Sequence, residues 1–285
     1  MWASLVVFGK FLLRSGVDPT SIVAVRALLA AIVLAIALVC RRRSLAVRDW
    51  STLGLLLAYG AIVACNYVSY FSALKHSSVA TAATLLYTYP GVVVLLGVLT
   101  GTEPLTPRKF VALILTLSGS LLVSGFYDPA ALRVTARGVL FGMVASATMA
   151  LYVLVGKEVS KRCEPWIAVM YGFAFAAALL WLGRGPHQVI KAISGWETQE
   201  WLAAIALALF PTLLAYGLFT YSMGFIEAGT ASMVASSEPV LAALFAWAAW
   251  GERVTLWQVA GGTLVIVGVV VLVLRPWGRG EGAGR

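Results

Sequence analysis

Charge is the scarcest commodity in this 285-residue chain. Only 12% of its residues are Asp, Glu, Lys or Arg, while 61% are hydrophobic, against about 25% charged in a typical globular domain. A chain of this size has no way to bury so much apolar surface in water, so the expected solvent is the lipid bilayer. Cysteine is nearly absent. Cys40, Cys65 and Cys163 show no paired metal-ligand spacing, which excludes a disulfide framework or a zinc site and leaves them as packing residues. Histidine is rarer still: His76 and His187 both fall in predicted loops. No HExxH, GxSxG or phosphate-loop pattern occurs, so catalysis and direct ATP hydrolysis are not expected. No metal or other cofactor is implied.

The charge that is present is unbalanced, 21 Lys and Arg against 12 Asp and Glu. Were these cations gathered in one patch, nucleic acid would be the natural partner. They sit instead in short gaps between apolar runs, the pattern of membrane topology signals.

Helix breaks and charges divide the sequence into ten runs of roughly spanning length: 1–15, 20–40, 50–74, 78–100, 105–125, 136–157, 165–183, 200–225, 228–250 and 255–274. Thr106–Pro107 supplies a capping residue followed by proline at the first helical position, and Asp18–Pro19 and Glu164–Pro165 mark two further helix starts. The first run opens abruptly on Trp2, and Trp2 to Leu13 is shorter than the roughly 20 residues a crossing needs. A first helix lacking a turn or two at its start is expected. The stretch Gly185–Gln199 reads as a short interfacial helix, and the tail 275–285, rich in glycine and arginine, as disordered.

The densest basic loop, Arg41–Arg43 with Arg48, fixes that side as cytoplasmic by the positive-inside rule. Counting alternate loops from it places both termini, and the tail, in the cytoplasm and gives that side the greater share of Lys and Arg.

Two stretches of the chain repeat each other without a gap. Thr81–Ala82 matches Thr230–Ala231, Pro90 matches Pro239, Glu103 matches Glu252, Thr106 matches Thr255 and Gly119 matches Gly268. Gly9–Lys10 is echoed by Gly156–Lys157, and Asp18–Pro19 by Glu164–Pro165. Each unit holds five spans, and an odd number forces the second to be inverted in the membrane. The expected fold is therefore all-α and polytopic: ten transmembrane helices in two inverted five-helix repeats, residues 1–125 and 136–274. Such internal duplication is the mark of a secondary transporter, with its site near the bilayer midplane between the halves.

Polar side chains inside the spans nominate that site, since a central charge costs about 2.5–3.5 kcal/mol on insertion scales. Lys10, Arg26, Asn66 and Glu238 are the candidates. Lys10 and Glu238, of opposite charge and from opposite halves, would pair if they faced one cavity and would part to hold a zwitterion. Lys10 and Arg26 also lie near enough to the outer interface to snorkel. Glu238 adjoins Pro239, whose missing N–H frees a carbonyl in mid-span. A carboxyl there suits cation binding or proton carriage. Pro90 occupies the matching place with Tyr89 where Glu238 stands, so both prolines are candidate gating positions. Tyr70, Tyr87, Tyr89, Tyr152 and Tyr216, with Ser237 beside Glu238, complete an aromatic, weakly polar lining suited to an amphipathic organic solute. Gly261–Gly262, Gly268 and Ala82–Ala83 are read as close helix contacts.

On these features (Lys10, Arg26, Pro90, Glu238–Pro239, Glu103 and Glu252 before Thr106 and Thr255, Gly119 and Gly268) the chain resembles the drug/metabolite transporter superfamily, specifically its EamA-type exporters, along nearly its whole length. The resemblance implies an exporter in a bacterial-type inner (plasma) membrane, moving amino acids, related metabolites or amphipathic drugs through a central cavity lined by both halves. A nucleotide-sugar or phosphorylated-metabolite exchanger is the alternative within transport, and a membrane scaffold the alternative outside it. The expected partners are a small-molecule substrate and the bilayer, with no nucleic acid; a homodimer is left open.

Overall fold

The computed structural model describes residues 1–130 and 132–274. The tail expected to be disordered lies outside those residues. Among the described residues every regular element is helical. A 3-10 turn at Trp2–Ser4 leads into α1 (Leu5–Arg14), followed by α2 (Pro19–Cys40), α3 (Trp50–His76), α4 (Val79–Leu86), α5 (Tyr89–Leu99) and α6 (Pro107–Val123). The second half runs α7 (Ala136–Arg162), α8 (Pro165–Arg184), the short α9 (Pro186–Ile193), α10 (Thr198–Ala208), a π-helical stretch Leu209–Leu214, α11 (Ala215–Ser222), α12 (Ala228–Ala235), α13 (Glu238–Trp250) and α14 (Leu256–Val273).

Capping chemistry sets many of the starts. Asp18 accepts from the Ser21 amide at 2.8 Å, Thr106 from Lys109 and Thr255 from Gln258, each at 3.2 Å. Asp49 caps α3 in loop solvent. The Thr52 hydroxyl, with the amides of Thr52 and Ser51, holds its carboxyl below the ordinary range.

Among the described residues, eight helical segments are long and apolar enough to cross a membrane, counting α4–α5, α10–α11 and α12–α13 each as one. α1 has 10 residues and α6 has 17. Large apolar side chains such as Ile36, Val98, Ile114, Trp247, Ile266 and Val270 remain exposed on the outer faces, as helices solvated by lipid require.

Packing follows a pattern in which contacts recur with the two halves exchanged. α3 packs on α7, as α1 does on α10; α3 packs on α8, as α10 does on α2; α4 and α5 pack on α7, as α13 does on α1. α2 with α8, α5 with α12, and α6 with α14 meet across the middle. The α6–α14 pair is close enough to need glycine. A Cβ added at Gly119 would lie 2.5 Å from the Gly261 carbonyl oxygen, and one at Gly261 would lie 2.7 Å from that of Gly119.

Candidate functional site

Two helices break at matching places. α4 stops at Leu86 and α5 begins at Tyr89; α12 stops at Ala235 and α13 begins at Glu238. Pro90 and Pro239 therefore sit in the first turn of a new helix, where a missing N–H costs little. The interruption expected at each proline is a short break just ahead of it, at Tyr87–Thr88 in one half and Ser236–Ser237 in the other.

The second break carries the carboxylate. Glu238 is half-buried and lines a cavity of about 340 Å³ together with Trp2, Ala215, Phe219, Ala231 and Ser237. Tyr70, Tyr87 and Tyr89, all from the first half, lie within electrostatic range of that carboxylate, as do Arg26 and the Met1 amino group. Tyr89 also donates to the Ser232 carbonyl at 3.3 Å, tying the two breaks together. Among the described residues, no cation lies within ion-pairing distance of Glu238.

Other expected members of the site stand elsewhere. Lys10 does not pair with Glu238: its amine is bonded to Glu252, in the loop before α14, beside the Trp250 ring. α1 carries Lys10 toward the α13–α14 loop, away from the helix break. Asn66 donates to the Ala145 carbonyl at 2.8 Å and to the Thr148 hydroxyl at 3.2 Å, which commits it to the α3–α7 contact. Tyr152 is stacked on Tyr59 at 4.8 Å and shares the Thr220 hydroxyl with it. Tyr216 packs edge-on against Trp2 and Phe173 and accepts from the Tyr67 hydroxyl at 3.2 Å. These two tyrosines form a packed aromatic layer beside the cavity rather than its wall. Arg26 does not snorkel. It is 5% exposed and its guanidinium lies 4.4 Å from the centre of the Tyr67 ring.

A charged cluster at the ends of α5, α6 and α12 went unnoticed in the sequence. The Gly229 amide donates to both oxygens of Glu103 at 3.1 and 3.2 Å, Lys109 bonds Glu103 at 3.3 Å, and Lys109 reaches Glu227 at 2.6 Å. A Cβ at Gly229 would lie 2.7 Å from the Glu103 carboxylate, so any side chain there would push the carboxylate off the amide it accepts from. Nearby, Lys157 donates to the carbonyls of Met223 and Ile226, sealing the α11–α12 loop. The signal available in advance was the repeat itself, since Glu103 and Glu252 match while Lys109 stands opposite Gln258. The π-helical stretch, which contains Pro211, is a further feature that the sequence reading does not include.

A bundle of apolar helices with paired breaks, a carboxylate and tyrosines between its halves is the architecture of a multi-pass membrane transporter. The chain belongs to the EamA-like transporter family, whose model matches residues 1–125 and 136–274, and so to the drug/metabolite type of transporter. An uncharacterized transporter of Archaeoglobus fulgidus is 32% identical over 71% of this chain and 70% of its own length. A second from the same organism is 25% identical over 94% of this chain and 92% of its own. The uncharacterized transporter YxxF of Bacillus subtilis is 23% identical over 78% and 70%. A crystal structure of another protein superposes with a TM-score of 0.80 at 20% identity, covering 95% of this chain and 92% of that one, which shows a shared fold.

Proposed function

We propose that this chain is a secondary active exporter of small organic solutes (amino acids, related metabolites or amphipathic drugs), working by alternating access between two inverted five-helix halves, 1–125 and 136–274. The observation that carries the reading is Glu238: a carboxylate without an ion-pair partner among the described residues, at a helix break and bordering a cavity, with Tyr70, Tyr87 and Tyr89 of the other half within electrostatic range. An intramembrane carboxylate is costly to keep without use. Contacts that recur with the halves exchanged support the inverted arrangement, with α1 and α6 as the ninth and tenth crossings. Loop cations support an inner (plasma) membrane setting with both termini cytoplasmic. A phosphorylated-metabolite exchanger draws little support, because Lys10 is engaged by Glu252 and, among the described residues, no Lys or Arg lines the cavity.

The test has two stages. Cells overexpressing the protein are screened for efflux of a solute panel by mass spectrometry, and the solute that moves is then followed in proteoliposomes with and without an imposed pH gradient. The expected outcome is gradient-driven efflux that Glu238→Gln abolishes while solute exchange persists. No solute moved by the cells would overturn export. A glutamine variant with full gradient response would reduce Glu238 to a solute contact or a packing residue.

A further inference from the structure

The loop between α2 and α3 is tied down, and it holds arginines outward. It is fastened to the first half of α8, where Tyr171 donates to the Leu45 carbonyl at 2.9 Å, and to Glu164 just before α8, which pairs with Arg43 at 3.8 Å. Leu45 and Val47 turn inward and pack against the main core, while Arg41, Arg42, Arg43 and Arg48 stay exposed. The acids at this end are already engaged: Glu164 by Arg43, Glu158 by Lys161 and Arg162, and Asp49 by the Ser51 and Thr52 amides that it caps. Arg41, Arg42 and Arg48 have no ion-pair partner among the described residues.

Arg42 also occupies a place that arginine does not favour. Its amide donates to the Val39 carbonyl at 2.8 Å and the Arg43 amide to that of Leu38 at 3.0 Å, the paired bonds that end a helix in a left-handed turn. Arg42 takes a φ of 54° there, where glycine is the usual residue. A topology signal explains neither feature, since lysine serves it as well as arginine and other loop positions serve it equally. Backbone strain kept at an exposed, charged residue points to a use for its side chain. The surface leading up to these cations is apolar. Ile32, Ile36 and Val39 form an exposed stripe at helical spacing along α2, ending just short of Arg41 and Arg42. Trp50, at the start of α3, is 83% exposed, as befits an anchor at the membrane–water interface.

We propose that the Arg41–Arg42 end of α2, with Arg48 further along the loop, is a docking surface for the headgroup phosphate of an anionic phospholipid, whose acyl chains lie along the Ile32–Ile36–Val39 stripe. The charges are complementary, and the local acids do not compete because their own partners hold them. A planar guanidinium grips a phosphate with two parallel hydrogen bonds, which an ammonium does not. Cations at the edge of an apolar helix face are where an anionic lipid meets both of its requirements at once, charge for the headgroup and apolar surface for the tails. The assignment does not depend on which solute is moved.

The test is native mass spectrometry of the full chain, purified in detergent and given equal amounts of phosphatidylglycerol and phosphatidylcholine with matched acyl chains. Wild-type protein should retain phosphatidylglycerol over phosphatidylcholine by about tenfold or more, since each contacting cation is worth about fivefold. Arg42→Gly, which the left-handed turn accommodates, should cut that preference about fivefold. A variant combining Arg41→Lys, Arg42→Lys and Arg48→Lys keeps the charge and the topology signal but loses the guanidinium fork, and should keep only part of the preference. Glycerol 3-phosphate at millimolar concentration should leave the lipid in place, because it lacks the chains that lie on the stripe. Monodisperse elution shows that each variant has folded, and either one decides the matter without the other. Equal retention of the two lipids by wild-type protein would overturn the assignment, as would an unchanged preference in Arg42→Gly. Full preference in the lysine variant would mean diffuse attraction rather than a docking surface, and displacement by glycerol 3-phosphate would mean a site for soluble anions; either result contradicts the proposal.

Discussion

Lys109 shows how much a single residue can fix in this protein. Its amine, with a side chain only 8% exposed, bridges Glu103 and Glu227 and so ties the α5–α6 loop to the start of α12. Lys109→Met leaves Glu103, itself 11% exposed, without its cation. Removing one partner of such a pair costs about 2–5 kcal/mol at full burial, and less here because Glu227 is half-exposed. The expected outcome is a lower unfolding temperature in detergent and easier opening at this end. Gly229→Ala should do the same by driving a methyl into Glu103. If Lys109→Met melts at the wild-type temperature, the cluster is a surface ornament. At this scale the sequence was only partly legible. Glu238 stood out because a carboxyl beside a mid-span proline has few structural uses. The partner of Lys10 could not be read, because pairing across 242 positions depends on which face of α1 meets the α13–α14 loop. Arg26 was visible as a charge in a span, but whether it snorkels depends on the depth and rotation of α2.

Among the elements, the broken pairs α4–α5 and α12–α13 matter most. Pro90 and Pro239 mark both breaks in the sequence, and capping residues mark many of the helix starts. The breaks themselves fall just ahead of each proline, at Tyr87–Thr88 and Ser236–Ser237. Replacing either proline by alanine removes the ring that keeps the preceding residues from continuing the helix and should let the two segments merge and stiffen the junction. Transport should then slow while unfolding temperature and solute binding hold. Wild-type transport rates in both alanine variants would make the breaks mere curvature. The π-helical turn at Leu209–Leu214 was not readable in advance, since Pro211 alone does not tell a kink from a π-bulge.

Over the whole molecule, the duplication read from matched residues reappears as contacts that recur with the halves exchanged, yet the two ends differ. Lys157 and the Glu103–Lys109–Glu227 cluster close one end, while the other relies on Lys10 and Glu252, both of them partly exposed. The repeated motifs point to an all-helical, two-part scaffold, which the helices and the family match agree with. They did not predict this asymmetry, which arises where the repeats diverge, as at Lys109 against Gln258. The proposed alternating access would require the cavity beside Glu238 to open to each side of the membrane in turn, with the buried charge cluster loosening on one stroke and the exposed pair on the other. Its most direct test is a cysteine at Ser237, which lines that cavity, in a protein whose Cys40, Cys65 and Cys163 are replaced by serine. Membrane-impermeant thiol reagents are applied from each side of oriented vesicles, with Ser44→Cys, cytoplasmic on the proposed topology, as a one-sided marker. Alternating access predicts that Ser237→Cys is modified from both sides, and that an added transported solute shifts the balance between them. Modification from one side only, whatever solute or gradient is imposed, would contradict it.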